Sequence, residues 1–336
     1  MTPTPAFVPD PFRPAWWLPG AHAQTIAGRY ARPPHGVRYR CERLDTPDGD
    51  FVDLDWATVD GCPLPDDAPL CLVVHGLEGS SSSSYVLETC RVLAARGIRA
   101  AAMNLRSCSG EINRTIRFYH AGETGDVGRV VSHLRTVCPD ATLLAAGFSL
   151  GGNMLLKYLG EQGAASPVKA AAAVSVPFDL AAGSDKLDRS PMGRFYGWHF
   201  TRRLRAKVRA KRHLLPADIR EAAVRAARTL RAFDDAATAR LYGFRDSDHY
   251  YAASGSARYL HAIRVPTLLV QAMDDPFVDA ESIPRDVIAA NPCLATAFTE
   301  AGGHVGFIAG SPRRPAFWAE AQVARFLAVQ AGTERA

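Results

Sequence analysis

The sequence predicts an α/β protein: a mostly parallel sheet with helices on both faces, an N-terminal antiparallel hairpin and a helical cap insertion. Three observations carry that expectation. From Leu70 onward, short apolar runs alternate with segments of helical periodicity, the pattern of right-handed strand–helix crossovers. Before Leu70, the runs Tyr39–Leu44 and Phe51–Trp56 flank Pro47-Asp48-Gly49-Asp50, a hairpin turn. Between Phe178 and Tyr259 the alternation stops, and the residues read as two or more helices with almost no strand signal.

In chain order, residues 1–36 form an arm rich in proline and aromatic residues, whose prolines argue against a long regular element. Adjacent Trp16 and Trp17 are expected to lie against the body, since exposing both is costly. Whether the arm borders a substrate cleft or merely packs is open at this level. Residues 37–336 form the main domain. Its parallel strands are expected at Leu70–Val74, Ile98–Leu105, Thr142–Ala146, Val168–Val176, Pro266–Ala272 and Leu294–Phe298. Helices are expected at Ser84–Arg96, Thr124–Val137, Gly151–Glu161 and Ala316–Val329. A helical insertion at about 178–259, late in such a sheet, reads as a cap over the strand ends where ligands bind. Within it Thr201–Arg212 carries seven basic residues, with Phe200, Leu204 and Val208 every fourth residue as an apolar face.

Composition excludes several classes. The chain has 336 residues, 47% apolar and 22% charged, which is a soluble globular balance with room for a large core. A net charge of +5 is small for this length and does not by itself imply a polyanionic partner. Seven cysteines without paired spacing fit reduced thiols in a cytoplasmic chain and no metal site. Met1–Pro5 lacks a basic start and an apolar core, so no signal peptide is expected. No run approaches the roughly 20 apolar residues that span a bilayer. The basic stretch has no nucleic-acid motif nearby; its plain reading is a solvated face, and weak attraction to an anionic membrane surface is the alternative.

The chemistry centres on Gly147-Phe148-Ser149-Leu150-Gly151, where a strand turns sharply into a helix with serine at the apex. Such a turn brings the chain onto itself, so the flanking positions must be nearly free of side chain. The bland alternative is a small-residue turn with an incidental serine. A serine hydroxyl needs a base within reach, and the base needs an orienting acid. Of the histidines after Ser149, only His304 follows the last strands, in Gly302-Gly303-His304-Val305-Gly306. The acid is expected just beyond the preceding strand, where Asp274 and Asp275 are adjacent and Asp279 is close by. The oxyanion of an acyl-transfer intermediate needs two donors. One is expected from the Leu150 N–H and the other from the Leu77 N–H, in His75-Gly76-Leu77-Glu78-Gly79. The serine run Ser80–Ser84 after it reads as a solvated loop leading into a helix.

Together these stretches resemble the α/β-hydrolase superfamily, specifically its YheT-like esterase and lipase branch. Trp17-Leu18 to His22-Ala-Gln24-Thr25, Arg106-Ser-Cys108 with Tyr119–Thr124, and Phe233-Asp234-Asp235 through Tyr250-Tyr251 resemble the branch rather than the superfamily. The resemblance covers nearly the whole chain. It implies the α/β-hydrolase fold, hydrolysis of carboxylic esters with short- to medium-chain acyl or lipid-like groups, and no cofactor. It also favours Asp275 over Asp274, as the fourth residue counted from Ala272. Ser149, His304 and Asp275 would then be nucleophile, base and orienting acid. Thioesterase, lysophospholipase or monoacylglycerol lipase activity at the same site is the alternative, and a binding protein on a dead scaffold is a more distant one. Ser107 departs from the glycine common in that branch. Oligomeric state is not legible.

Overall fold

The computed structural model describes residues 7–32 and 36–334. Residues 1–6, on which the signal-peptide expectation rests, lie outside the described residues.

Eight strands form one sheet: β1 (Val37–Asp45), β2 (Phe51–Val59), β3 (Leu70–Val74), β4 (Arg99–Asn104), β5 (Leu143–Phe148), β6 (Ala170–Val174), β7 (Thr267–Ala272) and β8 (Leu294–Thr299). Their spatial order is β1-β2-β4-β3-β5-β6-β7-β8. The hairpin β1–β2 joins β4 antiparallel, and the six strands from β4 to β8 run parallel. The direction of winding reverses between β3 and β5, so their C-terminal ends flank a crevice.

Strand β3 shows why the parallel runs are apolar without alternation. Leu70, Leu72 and Val74 pack into one core cluster with Val127, Val131 and Leu155. Cys71 and Val73 face the opposite cluster, with Val86, Leu93 and Phe326. Both faces are covered, so neither set tolerates polar residues. Helix α1 (Gly20–Tyr30) precedes the sheet, and the covering helices include α2 (Ser84–Ala94), α3 (Gly125–Val137) and α4 (Leu150–Gln162). After β6 come α5 (Leu180–Arg189), α6 (Pro191–Ala210), α7 (Glu221–Ala226), α8 (Leu230–Phe233), α9 (Ala239–Leu241) and α10 (Ser247–Ser254). A π-helical turn, Asp234–Thr238, joins α8 to α9. Helix α11 (Arg285–Ala290) and the closing α12 (Trp318–Ala331) complete the set.

The arm departs from expectation. No proline lies between Pro19 and Pro33, and in that gap Gly20–Tyr30 form the eleven-residue α1. Trp17 donates to the Gly310 carbonyl at 3.1 Å, but Trp16 is 79% exposed, so only one of the pair is packed. A second, two-stranded sheet, β9 (Ile308–Ser311) and β10 (Arg314–Phe317), takes the first residues expected of the last helix.

Ser107 has φ 63°, a left-handed conformation that is cheap for glycine and costly for serine. Two local bonds offset the cost. Its N–H donates to Asn113 Oδ1, and its Oγ accepts from the Asn113 N–H at 3.2 Å. Beside it Arg106 clamps Asp126 of α3 and Asp48 of the hairpin turn, at 2.7 and 2.8 Å.

Candidate active site

Ser149 stands between β5 and α4 with φ 52° and ψ −121°. That strained geometry lifts Oγ above the strand ends. It requires close packing that only glycine permits. A Cβ on Gly151 would lie 2.4 Å from the His75 carbonyl oxygen, and one on Gly76 would lie 2.9 Å from Ser149 Cβ. The second contact shows how tightly the loop after β3 presses against the serine.

His304 Nε2 lies 2.8 Å from Ser149 Oγ, and its Nδ1 lies 2.8 Å from Asp275 Oδ2 and 3.1 Å from Oδ1. Asp275 is fully buried. Its Oδ1 accepts the N–H groups of Phe277 and Val278 at 2.8 and 3.2 Å, and its Oδ2 accepts from Gln271 Nε2 at 3.2 Å. Asp274 turns away from the imidazole. Its Oδ1 accepts the Gly303 N–H at 2.9 Å, and burial raises its pKa above the ordinary value. The two adjacent carboxylates are thereby separated: one faces the ring, the other ties down the loop that carries it.

Leu77 and Leu150 line the same cavity as Ser149 and His304. As the first residue of α4, Leu150 leaves its N–H without an intrahelical acceptor. His75 governs the direction of the Leu77 N–H. Its Nε2 accepts the Leu105 N–H at 3.1 Å, so Nδ1 carries the proton and donates to the Gly76 carbonyl at 2.7 Å. That carbonyl and the Leu77 N–H belong to one trans peptide and point in opposite directions. Fixing the first therefore aims the second. The sequence offered only that glycine would permit this orientation; the residue that enforces it was missed.

Burial keeps His75 neutral and lowers its pKa to about 4 from 6.5. Between these values the unfolded chain binds a proton that the folded one refuses. Stability from this group is thus complete above 6.5 and is lost as pH falls towards 4. His75→Gln is expected to lower Tm at neutral pH yet lose less of it across that window, read from thermal melts at several pH values.

Two supports come from distant segments. Thr25 Oγ1 on α1 accepts the His304 N–H at 2.9 Å, and Gln24 bonds both polar groups of the Ile308 backbone, at 2.7 and 3.1 Å. The arm thus holds the histidine loop, a role signalled only by the Gln24-Thr25 resemblance. Glu78, next to Leu77, is tied to Tyr119 Oη and to Lys207 Nζ of α6, both at 2.7 Å. Helix α6 is therefore anchored to the loop that carries Leu77.

The cavity measures about 130 Å³ and is walled mainly by apolar side chains from the helices after β6, among them Leu187, Phe200, Leu204 and Val208. The three expected apolar residues of the basic helix thus face inwards. Asp234, on the π-turn, supplies a polar patch with Thr238 and Tyr251, which donate to it at 2.6 and 2.7 Å. Burial raises its pKa to about 6. Among the described residues no group of three or more His, Cys, Asp or Glu side chains is placed to hold a metal ion.

Residues 69–311 match the family described as alpha/beta hydrolase fold. The chain belongs to the α/β-hydrolase family. It is 37% identical over 318 residues to YheT of Escherichia coli (strain K12), covering 94% of this chain and 92% of that protein, which places it in the YheT-like branch. It is 34% identical to the phospholipase ABHD3 of Mus musculus, over 90% of this chain and 74% of that one. With the monoacylglycerol lipase of Saccharomyces cerevisiae it shares 32% identity, over 79% of this chain and 60% of that one. The Pyrococcus furiosus esterase Pf2001 has the same fold, with a TM-score of 0.55 at 16% identity over 96% of this chain and 97% of that one. The chain is thus a hydrolase of the esterase and lipase type.

Proposed function

We propose that this α/β hydrolase cleaves carboxylic esters of short to medium acyl groups, with Ser149 as nucleophile, His304 as base and Asp275 as its orienting acid. The observation that carries the proposal is the unbroken hydrogen-bonded relay from Ser149 Oγ through both ring nitrogens of His304 to Asp275, opening on an apolar cavity. Ser149 Oγ attacks the ester carbonyl as His304 Nε2 takes its proton. Asp275 holds Nδ1–H and stabilises the imidazolium that forms. The N–H groups of Leu77 and Leu150 receive the oxyanion, and His304 then protonates the departing alcohol. Water, activated by the same imidazole, attacks the acyl-enzyme and releases the acid.

Size sets the acyl preference. A cavity of about 150 Å³ holds a benzene ring, so one of 130 Å³ suits a chain of about six carbons. In a series of p-nitrophenyl esters, kcat/KM is expected to rise from acetate to hexanoate and to fall for laurate and palmitate. A maximum at palmitate would overturn the size argument. Monoacylglycerols, lysophospholipids and acyl-CoA run in parallel distinguish the alcohol or thiol that the site accepts.

A further inference from the structure

Helices α1 and α6 meet at His22 and Tyr196, and each exposes apolar residues that the hydrolytic site does not use. We infer that these residues seat the protein on an anionic lipid surface, beside the catalytic histidine. Helix α6 has two opposite faces. Tyr196, Phe200, Leu204 and Val208 turn inwards, whereas Met192, Phe195 and Trp198 are 37, 54 and 45% exposed. At 3.6 residues per turn, Phe195, Trp198, Arg202 and Arg209 fall within an arc of about 60°. The Phe195 and Trp198 rings lie 6.0 Å apart, and the Arg202 guanidinium sits 5.3 Å from the Trp198 ring. The helix carries six arginines and lysines and no acidic residue.

Helix α1 extends the patch. His22 Nδ1 lies 3.3 Å from Tyr196 Oη, which sets α1 alongside α6. Ile26 and Tyr30, one and two turns on from His22, are 42 and 75% exposed. Burial first, then the charges of Arg203 and Arg29, lower the pKa of His199 on α6, which sets Arg29 within electrostatic reach of that helix. The seam between α1 and α6 adjoins the chemistry. Thr25 accepts the His304 N–H, and the Tyr196 ring lies 4.8 Å from Phe277, whose own ring is 4.3 Å from His304.

The combination selects the partner. Single exposed apolar residues need no explanation, but aromatic rings interleaved with guanidinium groups on one helix face suit a headgroup boundary. A nucleic acid would pair the arginines and leave Met192, Phe195 and Trp198 in water. An apolar protein surface would do the reverse. An anionic bilayer accommodates both.

The test is co-sedimentation with phosphatidylcholine vesicles, with and without phosphatidylglycerol. Wild-type protein is expected to bind the phosphatidylglycerol vesicles more tightly, and added salt should weaken that binding. Each arginine near such a surface contributes about fivefold in partitioning. The R202E/R209E variant should therefore bind at least about 25-fold less, and F195S/W198S should lose the blue shift of tryptophan fluorescence on binding. Both variants should hydrolyse a soluble p-nitrophenyl ester at the wild-type rate, showing an intact fold. Ser149→Ala should bind vesicles like wild type, so loss of the hydrolase reading and loss of this one are distinguishable. The inference fails if wild type ignores both vesicle types, or if R202E/R209E binds undiminished. It also fails if the wild-type chain is a dimer that F195S/W198S converts to monomer, because a second copy then covers the patch.

Discussion

Ser149→Ala is expected to lower kcat on a soluble ester by about 10³- to 10⁶-fold and to leave the fold intact. The size of the loss follows from the relay. Without Oγ, His304 Nε2 has no proton to collect from the protein, and only water remains as a nucleophile. The Leu77 and Leu150 N–H groups and the cavity stay in place, so hydrolysis should not vanish altogether. Thermal stability should change little, because alanine removes one hydrogen bond and leaves the φ of 52° as it was. A fluorophosphonate probe should label the wild-type protein at Ser149 and fail to label the variant. Wild-type turnover by pure Ser149→Ala protein would remove Ser149 from the mechanism.

The sheet was legible because its central strands are buried on both faces. A run such as Leu70–Val74 has no solvent face on which a polar residue could blur the signal. The order of Ser149, Asp275 and His304 along the chain was legible for a related reason: each follows its own strand, and strand ends are visible in the sequence. Other features depend on contacts that no local pattern encodes. Helix α1 was hidden between the prolines that flank it, Pro19 before and Pro33 after, and its task is set by Gln24 and Thr25 meeting a loop some 280 residues later. Strand β10 is four residues long and contains Pro315, so it reads as the approach to a helix. The role of His75 turns on its tautomer, which a bond from the Leu105 N–H decides. The basic segment is amphipathic as its spacing predicts, with Phe200, Leu204 and Val208 inward. Its exposed apolar strip lies earlier, at Met192, Phe195 and Trp198, outside the stretch that the charges drew attention to.

Asp275→Asn should cost about 10⁴-fold in kcat, whereas Asp274→Asn should cost no more than about tenfold. These two carboxylates are neighbours, and the sequence alone left both open as the acid. Their surroundings divide the work. Asp275 is held by two backbone N–H groups and Gln271, and its Oδ2 faces His304 Nδ1 at 2.8 Å. An asparagine there can present its NH₂ to the ring, forcing the proton onto Nε2 and leaving no lone pair to accept the Ser149 proton. The amide also carries no charge to stabilise an imidazolium. Asp274 accepts the Gly303 N–H at 2.9 Å, with the Gly302 and Asp274 N–H groups also turned to its carboxylate, and an asparagine oxygen can still accept from the backbone there. What it loses is the negative charge that strengthens these backbone bonds in the histidine loop, a modest amount. The comparison of kcat for both variants on one soluble ester, with fluorophosphonate labelling rates alongside, reads the division directly. Equal losses would mean that the two carboxylates act as a unit. A larger loss at Asp274 would transfer the orienting role to it and overturn the relay.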